Sequence, residues 1–199
     1  LNDFIETYQS LDIQQLESYA IEYGTKLLKS LKEYESKSGT SSNFVLSGIS
    51  ALPIIIDGLF SIEEFTMHHM LVASIPGYEG FPDQTLISLS SLERQESFVE
   101  KITELLDILI AKNVIDQVTL VMFLLVVALA DGTLMEAEKS LISSFLMTEF
   151  NRPVYRLYEK YRLKSFLTMD EVKEYVSQVN SEDLDFIVSA LESYGVEII

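Results

Sequence analysis

Apolar residues recur at spacings of three and four along almost the whole chain, and alternation with a period of two is nowhere sustained. Side chains three and four apart share one face of a helix, so the pattern predicts an all-α bundle of about eight or nine short helices and no sheet. Asp12 with Gln15 reads as a capping box that opens a helix to about residue 35, with Leu16, Ala20, Tyr23, Leu27 and Leu31 on its apolar face. Gly39, in a polar loop, is its expected stop. Residues 44–56 form an apolar helix that contains Pro53, where a kink or an early end is expected. Ser61 with Glu64 is a second capping box and starts a helix to about residue 74.

Residues 75–84 hold Pro76, Gly77, Gly80 and Pro82, the strongest loop signal in the chain. One helical domain over 1–199 is expected, with possible halves 1–80 and 84–199 on either side of that loop. Beyond it, Phe98, Ile102, Leu105, Leu106 and Leu109 form the stripe of a helix clearest over 92–112, with Asn113 as its C-cap. The next helix, 116–130, is apolar on all faces and should lie in the centre of the fold. It is too short for a membrane span, which takes about 20 such residues. Further helices are expected from after Gly132 to about residue 150, from Pro153 to residue 164, after a Thr168–Glu171 capping box, and from Asn180 or Ser181. The last buries Leu184, Ile187, Val188 and Leu191 and ends at Gly195.

Two stretches of this pattern are alike. Ile54 to Phe65 and Ala128 to Lys139 each run from an apolar helix end through Asp-Gly and a short turn into a helix with Glu seven positions after the Asp. They suggest a duplicated helical hairpin. One reading is structural: Gly58 and Gly132 end helices in the left-handed conformation, Asp57 and Asp131 bond turn amides, and Glu64 bonds back to the Ser61 amide. In the second copy Met135 stands where Ser61 does and cannot cap, so Thr133 with Glu136 offers a capping box in a shifted register, and Glu138 has no such role. The other reading is functional: the carboxylates converge and hold a hard divalent cation, Ca²⁺ or Mg²⁺, through oxygen ligands.

The stretch from Val127 to Ile142, with Ala-Asp131-Gly132, then Leu134, then Glu136 and Glu138, resembles the signature of the TerB-like family, the tellurite-resistance and J-protein-associated helical domain. The resemblance is strong over those residues and extends loosely over 44–147. It departs from the family pattern at Ile56, where Ala is usual, and at Ile62, where an acidic residue is common. It implies an all-helical bundle with an internal pseudo-repeat, and a module of stress, tellurite-resistance, phage-defence or membrane-linked complexes. Metal binding by acidic residues is implied too, with Asp57, Glu64, Asp131 and Glu138 as ligands and Glu136 as a substitute.

Charge narrows the partners. Lys and Arg number 14 against 31 Asp and Glu, for a formal charge of -17. A surface so negative disfavours duplex nucleic acid. Absence of cysteine removes disulfide scaffolds, thiolate zinc sites and cysteine nucleophiles. An apolar content of 48% argues against disorder. The first residues have neither a basic n-region nor an apolar h-region, so no signal peptide is expected and a cytoplasmic protein is.

Basic residues cluster once: Arg152, Arg156, Lys160, Arg162 and Lys164 share a helix with Tyr155, Tyr158 and Tyr161. This helix is a candidate grip for an anionic protein partner or lipid headgroups, or else it neutralises the chain's own acidic faces. His68 and His69 are the only histidines, too few for a di-iron or His-Asp metal centre, and read as surface or half-buried polar residues. There is no nucleophile elbow, phosphate loop or dinucleotide fingerprint. A non-enzymatic module is therefore expected. A protein-binding adaptor using residues 152–164 is the alternative, and a metal-dependent helical hydrolase a further one.

Overall fold

A computed structural model describes residues 1–56, 58, 61–89, 91–148, 151–179 and 184–199, without the side chains of 92 and 93. Among the described residues the chain is all α-helical, with eleven helices, one 3-10 turn and no strand. It forms two compact units, Leu1–Ser143 and Ser144–Ile199. The loop 75–84 lies inside the first unit, where Ile75 and Tyr78 are buried.

The first unit begins with α1 (Asn2–Gln9), α2 (Ile13–Ser38), α3 (Ser42–Ile56) and α4 (Ile62–Ser74). It continues with α5 (Asp83–Leu89), α6 (Leu92–Ala111), α7 (Gln117–Ala128), a 3-10 turn (Leu129–Asp131) and α8 (Glu136–Phe145). Its centre is α7, around which α2, α3 and α4 pack. Every residue from Leu120 to Ala128 is buried. Each large apolar side chain so buried contributes about 1.5–3 kcal/mol relative to exposure. Val118 is 54% exposed, so the all-round apolar character expected of this helix holds only from Leu120 onward. At Gly24, α2 comes so close to α7 that a Cβ would stand 3.0 Å from the Phe123 ring.

Pro53 does not end α3, which runs on to Ile56 with Leu52, Ile54 and Ile55 fully buried. Apolar packing on both sides outweighs the missing backbone donor. The capping boxes at Asp12, Ser61 and Thr168 form as their spacing predicts. Asn113 adopts the left-handed conformation, φ 53°, just past α6. The short helix α1 falls where no helix was expected, α5 occupies the less clear start of the helical region after the loop, and α8 stops well before residue 150.

In the second unit α9 (Asn151–Lys164), α10 (Met169–Gln178) and α11 (Leu184–Ser193) enclose Leu157, Val172, Ile187 and Leu191. The expected helix start at Asn180 or Ser181 lies outside the described residues. A parallel bridge ties Leu167 to Ile198. Leu167 donates its amide to the Glu197 carbonyl at 2.9 Å, and Ile199 donates to the Leu167 carbonyl at 2.8 Å.

Candidate functional site at the Asp-Gly corners

The first corner closes α3. The Gln95 side-chain amide, from α6, donates to the carbonyls of Ile55 at 2.6 Å and Ile56 at 2.9 Å, two acceptors left over at the helix end. Gly58 takes φ 71° and donates its amide to the Ile55 carbonyl at 3.1 Å. The chain then enters α4. Ser61 Oγ accepts the Glu64 amide at 3.0 Å, and Glu64 Oε2 accepts both the Ser61 amide and the Ser61 hydroxyl at 3.0 Å. Glu64 is 3% exposed. Asp57 lies outside the described residues.

The second corner follows the 3-10 turn. Gly132, at φ 84°, donates to the Leu129 carbonyl at 2.9 Å. Asp131 Oδ1 accepts the Thr133 amide and the Thr133 hydroxyl, both at 2.8 Å, which ties down the turn. Thr133 and Glu136 do not form the capping box that their spacing suggested: the hydrogen bonds of Thr133 go to Asp131. Glu136 is instead an exposed first residue of α8. Glu138 takes the role that seemed vacant: its Oε2 accepts the Met135 amide at 2.7 Å while the residue is 2% exposed. A carboxylate at this position satisfies an orphan donor and lies at the favourable end of the helix dipole.

Two of the expected ligands, Glu64 and Glu138, thus each commit an oxygen to a helix start, and Asp131 commits one to its own turn. Among the described residues, no three or more His, Asp or Glu side chains form a group that could hold a metal ion. At the level of whole elements, α4, which carries Glu64, packs against the 3-10 turn that ends in Asp131. Each corner also presents an apolar side chain beside an exposed carboxylate. Ile62 is 81% exposed next to Glu63, and Met135 is 44% exposed next to Glu136.

The five basic residues of α9 lie in different surroundings. Arg152 is buried, and its Nη2 donates to the carbonyls of Met147 at 2.8 Å and Phe145 at 3.3 Å. Arg156 lies over the Phe145 ring, 4.7 Å from its centroid, and Lys160 is half-buried. Arg162 bonds Glu159 at 3.0 Å and Lys164 bonds Glu171 at 2.6 Å. Lys164, together with the Thr168 cap, holds the Glu171 carboxyl down at about 2.

Sequence reasoning missed His68. It is fully buried on α4, its Nε2 3.1 Å from the Phe81 carbonyl and its Nδ1 3.5 Å from Ser50 Oγ. The signal was the helical repeat itself, since Glu64, His68 and Leu71 share one face. His69 is exposed and meets Asp83 at 3.1 Å.

Comparison with protein-family models, with curated proteins and with solved structures finds no match to this chain.

Proposed function

We propose that the chain is a non-enzymatic, TerB-like helical module of the cytoplasm that works by interaction, with its two Asp-Gly corners as the working surface. The observation that carries this reading is the matched construction of the corners. A left-handed glycine, an amide bonded three residues back and a buried glutamate at the third helical position recur at the same spacing. Ile62 with Glu63, and Met135 with Glu136, suit a protein partner whose apolar residue is flanked by Lys or Arg. The stress, tellurite-resistance or defence setting rests on the family resemblance alone, as does any membrane-linked complex.

A divalent cation between Asp57 and Asp131 is the proposed control. Glu136 is the added ligand, and Glu64 and Glu138 hold the helix starts. Clustered carboxylates repel one another, and a bound cation relieves the repulsion by mass action. Ca²⁺ or Mg²⁺ at a hundred times its Kd would stabilise the folded chain by about 2.7 kcal/mol. The melting temperature of the full chain should therefore rise with added metal, and Asp131→Ala should remove the rise. A melting curve indifferent to both metals would leave the corners with a purely structural role.

The end of α9 favours a second reading. Leu163 is 57% exposed and Phe166 41% exposed, beside Arg162 and Lys164. On this reading the chain is itself a protein-binding adaptor, with its partner docked there. Reversing both charges with Arg162→Glu and Lys164→Glu would weaken capture of its partner and leave the metal response intact.

A further inference from the structure

Met135 is the most exposed thioether of the chain. All six methionines lie among the described residues. Met67 is 1% exposed and Met122 5%, whereas Met135 is 44% exposed. Met70, Met147 and Met169 are half-buried. Thiols and thioethers are the side chains that a peroxide oxidises by direct oxygen transfer, and exposure sets how readily. The chain has no cysteine, so this chemistry falls on methionine, and first on Met135.

Charge selects the oxidant. A net charge of -17 repels anionic oxidants, and the exposed Glu136 stands next to Met135. An uncharged hydroperoxide meets no such barrier.

The place of Met135 lets its side chain change while the backbone stays fixed. Its amide donates to Glu138 Oε2 at 2.7 Å, and its carbonyl accepts the Lys139 amide at 2.9 Å. Both bonds are made by the main chain, so they hold whatever the sulfur carries. An oxygen added to Met67 or Met122 would instead be a polar group forced into the core. Met135 is also the one large apolar side chain exposed between Val118 and Leu146. Its neighbours Asp131, Gly132, Thr133 and Glu136 are exposed too, and none presents a large apolar side chain. A sulfoxide at Met135 therefore leaves the second corner without its apolar contact. The first corner differs, because Ile62 is a hydrocarbon that a peroxide does not oxidise.

We propose that Met135 is a redox-sensitive modification site: a hydroperoxide converts its thioether to the sulfoxide ahead of every other methionine, turning the second corner from apolar to polar without loosening the fold. In the step, Sδ takes one oxygen atom from the peroxide as the O–O bond breaks. The sulfur loses two electrons, and hydrogen peroxide is reduced to water. That this modification controls partner capture rests on the reading of the corners as the working surface.

The test treats the full chain with hydrogen peroxide at neutral pH and follows each methionine by peptide mass. Met135 should gain its oxygen about threefold faster than Met70, Met147 or Met169, and about tenfold faster than Met67 or Met122. The singly oxidised chain should keep the urea midpoint of the untreated one and leave a hydrophobic-interaction column earlier. Met135→Leu, which keeps an apolar side chain of similar size, should lose the fast phase of oxygen uptake and the shift in elution. Another methionine oxidised as fast as Met135, a urea midpoint that falls once Met135 is oxidised, or an unchanged elution would overturn the proposal. None of these measurements involves a metal or a partner, so their failure would leave the reading of the corners standing.

Discussion

Glu64 and Glu138 occupy equivalent places: each is the third residue of its helix, each is buried, and each carboxylate accepts the amide of the residue just before the helix. They differ in what answers them. Ser61 returns a hydrogen bond to the Glu64 amide, whereas Met135 has no oxygen with which to return one. At the second helix start the glutamate's side of the capping box is present and the Ser61 counterpart is an apolar residue.

Removal of that glutamate should cost accordingly. Glu138→Ala leaves the Met135 amide without its acceptor and should destabilise the chain by about 1–3 kcal/mol, read from urea denaturation. Glu138→Gln, which keeps an acceptor oxygen, should cost less. Equal losses for the two variants would show that the acceptor is not what matters.

Completing the box should act in the opposite direction. Met135→Ser places at a half-exposed site the residue type that caps α4 at Ser61, and a gain of about 0.5–1 kcal/mol is expected. A loss in the same assay would mean that the Met135 side chain packs more usefully than a cap would bond.

Local chemistry was legible in the sequence and tertiary chemistry was not. Asp12, Ser61 and Thr168 were readable as caps because donor and acceptor lie within four residues. Glu138 was misread because Thr133 offered a competing cap, and only the folded turn shows the Thr133 amide and hydroxyl donating to Asp131. His68 looked polar and peripheral because its partners, Ser50 and Phe81, are distant in sequence. The boundary between Ser143 and Ser144 carries no Gly or Pro because it falls within α8, while the Pro- and Gly-rich loop 75–84 is fastened inside the first unit. The basic run of α9 was visible as composition. Its use was not, because charge in a sequence does not show that Arg152 turns inward to backbone carbonyls.

That inward turn is testable. Arg152→Lys loses the planar donor group that reaches the Met147 and Phe145 carbonyls and should destabilise by about 1.5–3 kcal/mol. Arg162→Gln breaks only an exposed pair with Glu159 and should stay within about 0.5 kcal/mol of wild type. Comparable losses at the two positions would contradict the assignment.

Glu171 sets an acid limit on the second unit. Its carboxyl titrates at about 2 in the folded chain, lowered chiefly by the Lys164 ammonium and the Thr168 amide. The group is more acidic folded than unfolded, so its contribution is complete above the ordinary carboxylate range and is lost as pH falls through about 2. Urea midpoints measured at pH 5 and pH 2.5 should therefore fall further for wild type than for Glu171→Gln. Parallel falls would show that the Lys164–Glu171 pair does not contribute.

The most direct test of the corners acting together is calorimetric titration of Ca²⁺ and of Mg²⁺ into the full chain, its Asp57→Ala and Asp131→Ala variants, and the double variant. The account predicts one saturable site for at least one of the ions, lost in either single variant, with no further loss in the double. Absence of binding heat for both ions, or a titration that survives Asp57→Ala unchanged, would contradict it.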